Sequence, residues 1–225
     1  VFRIAEGESL FAEIAGALAE GKIIGWFRGR MEYGPRALGN RSILANPMVQ
    51  GMQSHLNRNI KFREAFRPFA PAVLAADADK YFDLPKTTLT RYMLTTAPLK
   101  AEWRNPLPEH FEAWGMTEKL AADKSVFNAV THVDFSARVQ TVDQELNPDF
   151  HRLLYAFKAL TGHGMLINTS FNMRGLPPVC TPEDAIYSFM NTGMDILVIE
   201  NCIFVKEDQP DASLFLSDKY KPRED

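Results

Sequence analysis

Two cysteines, Cys180 and Cys202, are all this chain of 225 residues has. That is too few for a disulfide framework, and they have no metal-ligand spacing, so a reduced, cytoplasmic setting is expected. The five histidines form no H-x-x-x-H or similar pair, so no metal site built by this chain alone is expected. No apolar run reaches the roughly 18 residues of a membrane span, and there is no signal peptide. No G-x-x-x-x-G-K-[ST] loop, internal repeat or low-complexity tract occurs. The chain opens at Val1 rather than Met, which reads as a piece cut from a longer polypeptide.

Against these absences stands an uneven charge distribution. The net charge is −3, yet the forty residues from Arg28 to Arg67 hold eight Arg or Lys and only two acids, Glu32 and Glu64. This window carries +6 and the remainder −9. A mildly acidic protein that collects its cations in one Gly/Pro-punctuated stretch points to an anion site. With 46% hydrophobic and 24% charged residues, the composition is that of a globular protein with a full core.

Helical and strand patterns alternate along the chain, which predicts α/β architecture. Leu10, Ile14, Ala17 and Leu18 recur at helical spacing, with Ser9 as N-cap and Gly21 as stop. Lys22–Phe27 reads as a strand. Asn46-Pro47 predicts a helix running to about Asn59. Asn147-Pro148 opens one that buries Leu153, Leu154, Phe157 and Leu160 and stops at Gly162. Thr181-Pro182, with Asp184 three residues on, starts another that ends by Gly193. Strands are predicted over Phe69–Leu74, Tyr92–Thr95, Thr131–Val133, Ala137–Val142, Met165–Asn168 and Ile196–Val205. Residues 1–206 read as one domain, with 97–124 a surface excursion and 207–225 a polar tail.

Four segments could carry chemistry. Gly34-Pro35-Arg36-Ala37-Leu38-Gly39 sets an arginine between glycines that allow close backbone approach, and Arg36 offers a planar fork for phosphate oxygens. In Lys61–Phe69, cations at 61, 63 and 67 interleave with aromatics at 62, 66 and 69. An extended chain would turn Lys61, Arg63 and Arg67 to one face and Phe62 and Phe66 to the core. Arg138 and Gln140 share a face of a predicted strand, with Asp134 able to accept from Arg138 or a ribose. Finally, an apolar strand runs into Asn168, Thr169 and Ser170, the place where α/β folds hold ligands. Each segment also has a plain structural reading as a loop, edge charge or Asx turn, and the residues alone leave both open.

Together, GWFRGRMEYGPRALGNRSIL, KFREAFRPFAPAVL, HVDFSARVQTV and NTSFNMRGLPPVCTPEDAIYSFMNTGMDILVI resemble the C-terminal part of the NodU/CmcH-type O-carbamoyltransferases, in family order over about 25–199. The resemblance implies a YrdC-like twisted mixed sheet with flanking helices. It implies that carbamoyl phosphate and ATP, the latter with Mg²⁺, are converted to carbamoyl adenylate. An N-terminal actin-like-ATPase-type domain, holding an iron, would pass the carbamoyl group to a hydroxyl. Residue by residue, it assigns Arg138, Lys61 and Ser170 to the reaction, and Arg36, Arg67 and Asn168 to the phosphates and adenylate. Phe135-Ser136 replace a usual Gly-Thr pair, and Leu176 stands where an acid is common. Its own N-terminal domain is the expected partner, no nucleic acid or membrane is, and a homodimer is left open. Two rival readings are a threonylcarbamoyl-adenylate synthase-like enzyme and a nucleic-acid-binding module using the basic stripe; the acidic overall balance opposes the latter.

Overall fold

Residues 1–64 and 67–210 are described in a computed structural model of the chain. The strands are β1 (Arg3–Ile4), β2 (Ile24–Phe27), β3 (Arg41–Ala45), β4 (Ala70–Leu74), β5 (Thr96–Pro98), β6 (Ser136–Arg138), β7 (Gln140–Val142), β8 (Met165–Ser170), β9 (Ile196–Ile199) and β10 (Cys202–Val205). The α-helices are α1 (Glu8–Ala19), α2 (Met52–Asn59), α3 (Ala78–Tyr81), α4 (Met116–Ala121), α5 (Pro148–Thr161) and α6 (Pro182–Met190). Eight strands form one sheet in the order β1-β10-β9-β2-β3-β8-β4-β7, and β5 pairs with β6 alone. The pairs β2–β9 and β4–β7 are parallel and the other neighbours antiparallel, so the sheet is mixed, as expected.

The central strands are buried on both faces. Their residues alternate between two clusters because successive side chains point to opposite sides. Leu44, Ala72 and Leu166 pack with Leu10, Ile14 and Leu18 of α1 and Leu153, Leu154 and Phe157 of α5. Ile43, Val73 and Ile167 face Met52 and Leu56 of α2, Tyr81 of α3 and Phe189 of α6. Toward the end of β8 this alternation turns polar. Asn168 and Ser170 continue the row begun by Leu166, and the register sets them opposite Leu44 and Ser42 of β3. The polar end of β8 therefore lies in the middle of the sheet.

Helix starts follow the capping chemistry where it is unambiguous. Asn147 accepts from the Phe150 amide and Pro148 follows it, while Thr181 and Asp184 form a reciprocal capping box on α6. Elsewhere local chemistry misled. Ser9 donates to the Glu6 carbonyl inside a helix that begins at Glu8. Asn46 caps a turn rather than a helix, since its Oδ1 accepts from Met48 N, and α2 starts only after Gly51, whose φ is 78°. The preceding strand β3 went unpredicted. Tyr92 closes a 3₁₀ turn, with β5 after it. Thr131 spends its hydroxyl on Phe127 O and Ser125 instead of entering a strand. The long strands expected over 137–142 and 196–205 each break in two, the second at Glu200, whose φ is 51°. Leu160 is 59% exposed although it follows Leu153 and Phe157 at helical spacing, because it sits in the last turn of α5, beyond the buried residues Phe150, Leu153, Leu154 and Phe157.

Segment 97–124 is tied to the body at several points. Ala97 and Leu99 are buried, and Trp103 packs on Tyr81 and Phe127. Of the expected tail, only 207–210 fall among the described residues. No helix of the described residues is long and apolar enough to cross a membrane.

Gly39 shows how tightly the basic loop seats on this framework. Its φ is 113°, and a Cβ there would lie 2.3 Å from Phe150 Cδ1 and 2.8 Å from Asn147 Nδ2. Gly39→Ala is expected to destabilise the protein by about 3 kcal/mol or more, read as a lowered midpoint in chemical denaturation.

Candidate anion site at the end of strand β8

The loop carrying Arg36 is held by side chains that bond backbone groups from Ala37 to Arg41. Glu32 Oε1 accepts from Leu38 N at 2.7 Å, Asn40 N at 2.8 Å and Arg41 N at 3.4 Å. Leu38 O accepts from Gln140 Nε2 at 2.8 Å and Asn147 Nδ2 at 3.3 Å. Asn168 Nδ2 donates to Ala37 O at 3.1 Å and to Gln140 Oε1 at 2.7 Å, while its own Oδ1 is buried without a partner. Gly39 N donates to Ser42 Oγ at 3.0 Å. A loop pinned at this many points loses little entropy on meeting a ligand.

Beside it, a cavity of about 260 Å³ is lined by Lys61, Arg63, Glu64, Arg67, Thr169, Ser170, Asn172, Met173 and Arg174. Four of these are cations and one is an acid. Lys61 is 6% exposed, and its ammonium donates to Ser170 O, to Asn172 Oδ1 at 2.9 Å and to Asn172 O at 3.2 Å. Burial, aided by the nearby Arg63 charge, pushes its pKa down to about 7. Ser170 Oγ donates to Asn172 Oδ1 at 2.7 Å. Arg67 reaches Glu64 at only 3.9 Å and is half exposed, so that surface pair contributes little to stability. Arg174 Nη1 donates to Phe62 O at 3.0 Å. The segment is not extended as expected. After Lys61 turns inward, Phe62 takes a φ of 47° and is 46% exposed, contrary to the core-facing role predicted for it. Phe66 lies outside the described residues.

Arg36 and Arg138 form a second grouping. Burial, and then the charge of Arg36, lower the pKa of Arg138, so the two guanidinium groups feel each other. Arg138 Nε is buried and unbonded. Asp134, expected as its acceptor, instead accepts from Ser136 N at 2.9 Å and Ser136 Oγ at 2.7 Å, which holds its carboxyl below the usual range. Phe135 has a φ of 61°, so the glycine usual at this position has a conformational reason. The Phe135 ring carries the Arg104 guanidinium 4.8 Å above its centroid. Leu176 contributes its carbonyl, which accepts from Asn172 Nδ2 at 2.9 Å.

Of the six residues expected from sequence, Lys61, Arg67 and Ser170 thus line one cavity, and Arg36 lies close enough to Arg138 for the two charges to repel. Asn168, 1% exposed, lies two residues before Ser170 on β8 and bonds the Arg36 loop. Sequence reasoning passed over Arg174, Glu32, Asn57 and Asn147 as parts of the site. The charge run did point to Arg63 beside Lys61 and Arg67, but nothing local marks Asn57 or Glu32. A larger cavity, about 850 Å³, opens between α2 and residues 105–129 and holds none of the six.

The family model described as carbamoyltransferase C-terminus matches residues 15–206. The chain belongs to that family. Among curated relatives, the carbamoyltransferase C-terminal chain is 53% identical over 204 residues to the uncharacterized protein sll1178 of Synechocystis, covering 90% of this chain and 33% of that protein. It is 39% identical over 190 residues to nodulation protein NolNO of Sinorhizobium fredii, covering 84% and 25%. It is also 37% identical over 187 residues to the 3'-hydroxymethylcephem-O-carbamoyltransferase of Amycolatopsis lactamdurans, covering 83% and 31%. The chain spans about a third or less of the length of these relatives.

Two measurements probe this geometry. Lys61 titrates near 7 in the fold against an ordinary value of 10.5, so between these values the native state binds fewer protons than the unfolded one. Stability conferred through Lys61 should therefore rise with pH across that window, by at most about 1.4 kcal/mol per pH unit. Urea midpoints at pH 6.5 and 9 should climb more in the wild type than in Lys61→Met. At Phe135, alanine keeps the positive φ and loses the ring, whereas glycine removes the strain. Phe135→Ala should be less stable than Phe135→Gly by about 1 kcal/mol in urea denaturation.

Proposed function

We propose that this domain binds carbamoyl phosphate and ATP and forms carbamoyl adenylate, for transfer to a hydroxyl acceptor by another part of the full-length carbamoyltransferase. The observation that carries the reading is the cavity at the end of β8, where Lys61, Arg63, Arg67 and Arg174 surround Ser170 and Thr169 with Glu64 as the one acid. Phosphoryl transfer asks for such an arrangement, because catalysis there is mainly positioning and charge stabilisation. In the proposed sequence, water cleaves carbamoyl phosphate to carbamate and phosphate. A carbamate oxygen then attacks the α-phosphorus of ATP, the bond to the bridging oxygen breaks, and pyrophosphate leaves.

The difficulty is bringing two anions together. At about 4 Å and an effective dielectric of about 20, two unit charges repel by about 4 kcal/mol. Charge-assisted hydrogen bonds contribute about 1.5–3 kcal/mol each, so two or three cations offset that repulsion. Lys61, Arg67 and Ser170 serve the carbamoyl phosphate, and the Arg36–Arg138 pair serves the nucleotide phosphates, with Asn168 setting the loop between them. Mg²⁺ would travel on the nucleotide. Iron and the acceptor site belong to the N-terminal part expected of the longer protein. The name of the Amycolatopsis relative supports a hydroxyl acceptor.

Carbamoyl-phosphate-dependent ATP–pyrophosphate exchange tests the reading. Arg138→Ala and Arg67→Ala should each lower it by about tenfold to a hundredfold. Exchange that responds to threonine plus bicarbonate and not to carbamoyl phosphate would replace this reading with a threonylcarbamoyl-adenylate synthase. Tight, salt-sensitive RNA or DNA binding without exchange would favour a nucleic-acid module. The chain alone should not carbamoylate an alcohol.

A further inference from the structure

We infer that Asn57 is a positioning residue of the cation-lined cavity, setting both Arg63 and Arg67 for an anionic phosphoryl group; this rests on the reading of that cavity as a phosphoryl site. Asn57 lies on α2 and is fully buried. Its Oδ1 accepts from Arg63 Nε at 2.7 Å, and its Nδ2 donates to Arg67 O at 2.8 Å. Arg63 N donates to Asn57 O at 3.0 Å. One residue therefore holds Arg63 by backbone and side chain and Arg67 by backbone.

The chemistry of a neutral amide matters here. Burial and the neighbouring Arg67 charge lower the pKa of Arg63, so the two cations repel across the cavity rim. An acid at position 57 would neutralise Arg63 and compete with an arriving anion. An amide satisfies Nε without cancelling the charge, and it keeps a donor for the Arg67 carbonyl. With Nε engaged and the guanidinium carbon 4.9 Å from the Phe69 ring centroid, the Arg63 plane is fixed from two sides. Arg63 itself lines the cavity.

A double-mutant cycle on affinity separates positioning from simple structural support. Calorimetric titration with inorganic pyrophosphate would compare wild type, Asn57→Leu, Arg63→Met and the double variant, with denaturation midpoints recorded for each. Asn57→Leu is expected to weaken binding by about tenfold, and by less than about threefold once Arg63 is already Met. Equal losses in both backgrounds, or unchanged affinity in Asn57→Leu, would overturn the inference. If Asn57→Leu fails to fold, Asn57→Asp replaces it. The carboxylate still accepts from Arg63 but cannot donate to Arg67 O and cancels cavity charge, so weakened binding is expected and retained binding overturns the proposal. A wild type that does not bind pyrophosphate would remove the phosphoryl reading itself. Binding lost in Arg63→Met yet intact at Asn57 would remove only this inference.

Discussion

The contact on which the candidate site hangs is the Lys61 ammonium lodged against the end of β8. Its three acceptors are Ser170 O, Asn172 O and Asn172 Oδ1. They tie the basic segment after α2 to a central strand of the sheet. Without them, a buried ammonium would be expelled toward water, since an unsolvated interior charge costs several kcal/mol. Because Lys61 turns inward, Arg63 and Arg67 are drawn to the same cavity rim, and Ser170 becomes part of its wall.

Four cations gathered beside a single acid, Glu64, repel one another, and the fold answers with neutral groups. Asn57, Asn172, Gln140, Asn147 and Asn168 supply amides that fix backbone and guanidinium groups while leaving positive charge uncompensated. The acids nearby are diverted. Glu32 is occupied by three backbone amides, and Asp134 by Ser136. Under the proposed function, a polyanionic ligand would supply the compensation that the protein withholds. Arg138 Nε on β6 and Asn168 Oδ1 on β8 are two of the buried polar atoms that have no partner among the described residues.

The chain belongs to the carbamoyltransferase C-terminus family over residues 15–206. The departure at Phe135 illustrates how the scaffold absorbs change. A side chain sits where the backbone favours glycine, and stacking with Arg104 offsets part of the strain. Arg104 also donates to Leu99 O, so the substitution is tied into the segment around β5 and not into the cavity.

Much of the framework was legible in order. Apolar periodicity, the Asn147-Pro148 and Thr181-Pro182 caps and the alternation of elements determined the α/β class, α1, α5, α6 and most strands. The gathering of Arg and Lys between 28 and 67 marked the stretch that supplies Lys61, Arg63 and Arg67 to the cavity. Local cues failed where a short polar group had two uses, as at Ser9 and Asn46, and where the strand path was set by distant pairing, as in β3 and the split of 196–205. Tertiary structure alone decided which cations meet. Residues 109 positions apart, such as Lys61 and Ser170, come together through the fold, the Lys61 side chain meeting the Ser170 carbonyl, and a buried amide like Asn57 has no local signature. Residue type limits what chemistry is available, whereas the direction of a side chain depends on contacts that are formed only when the whole sheet closes.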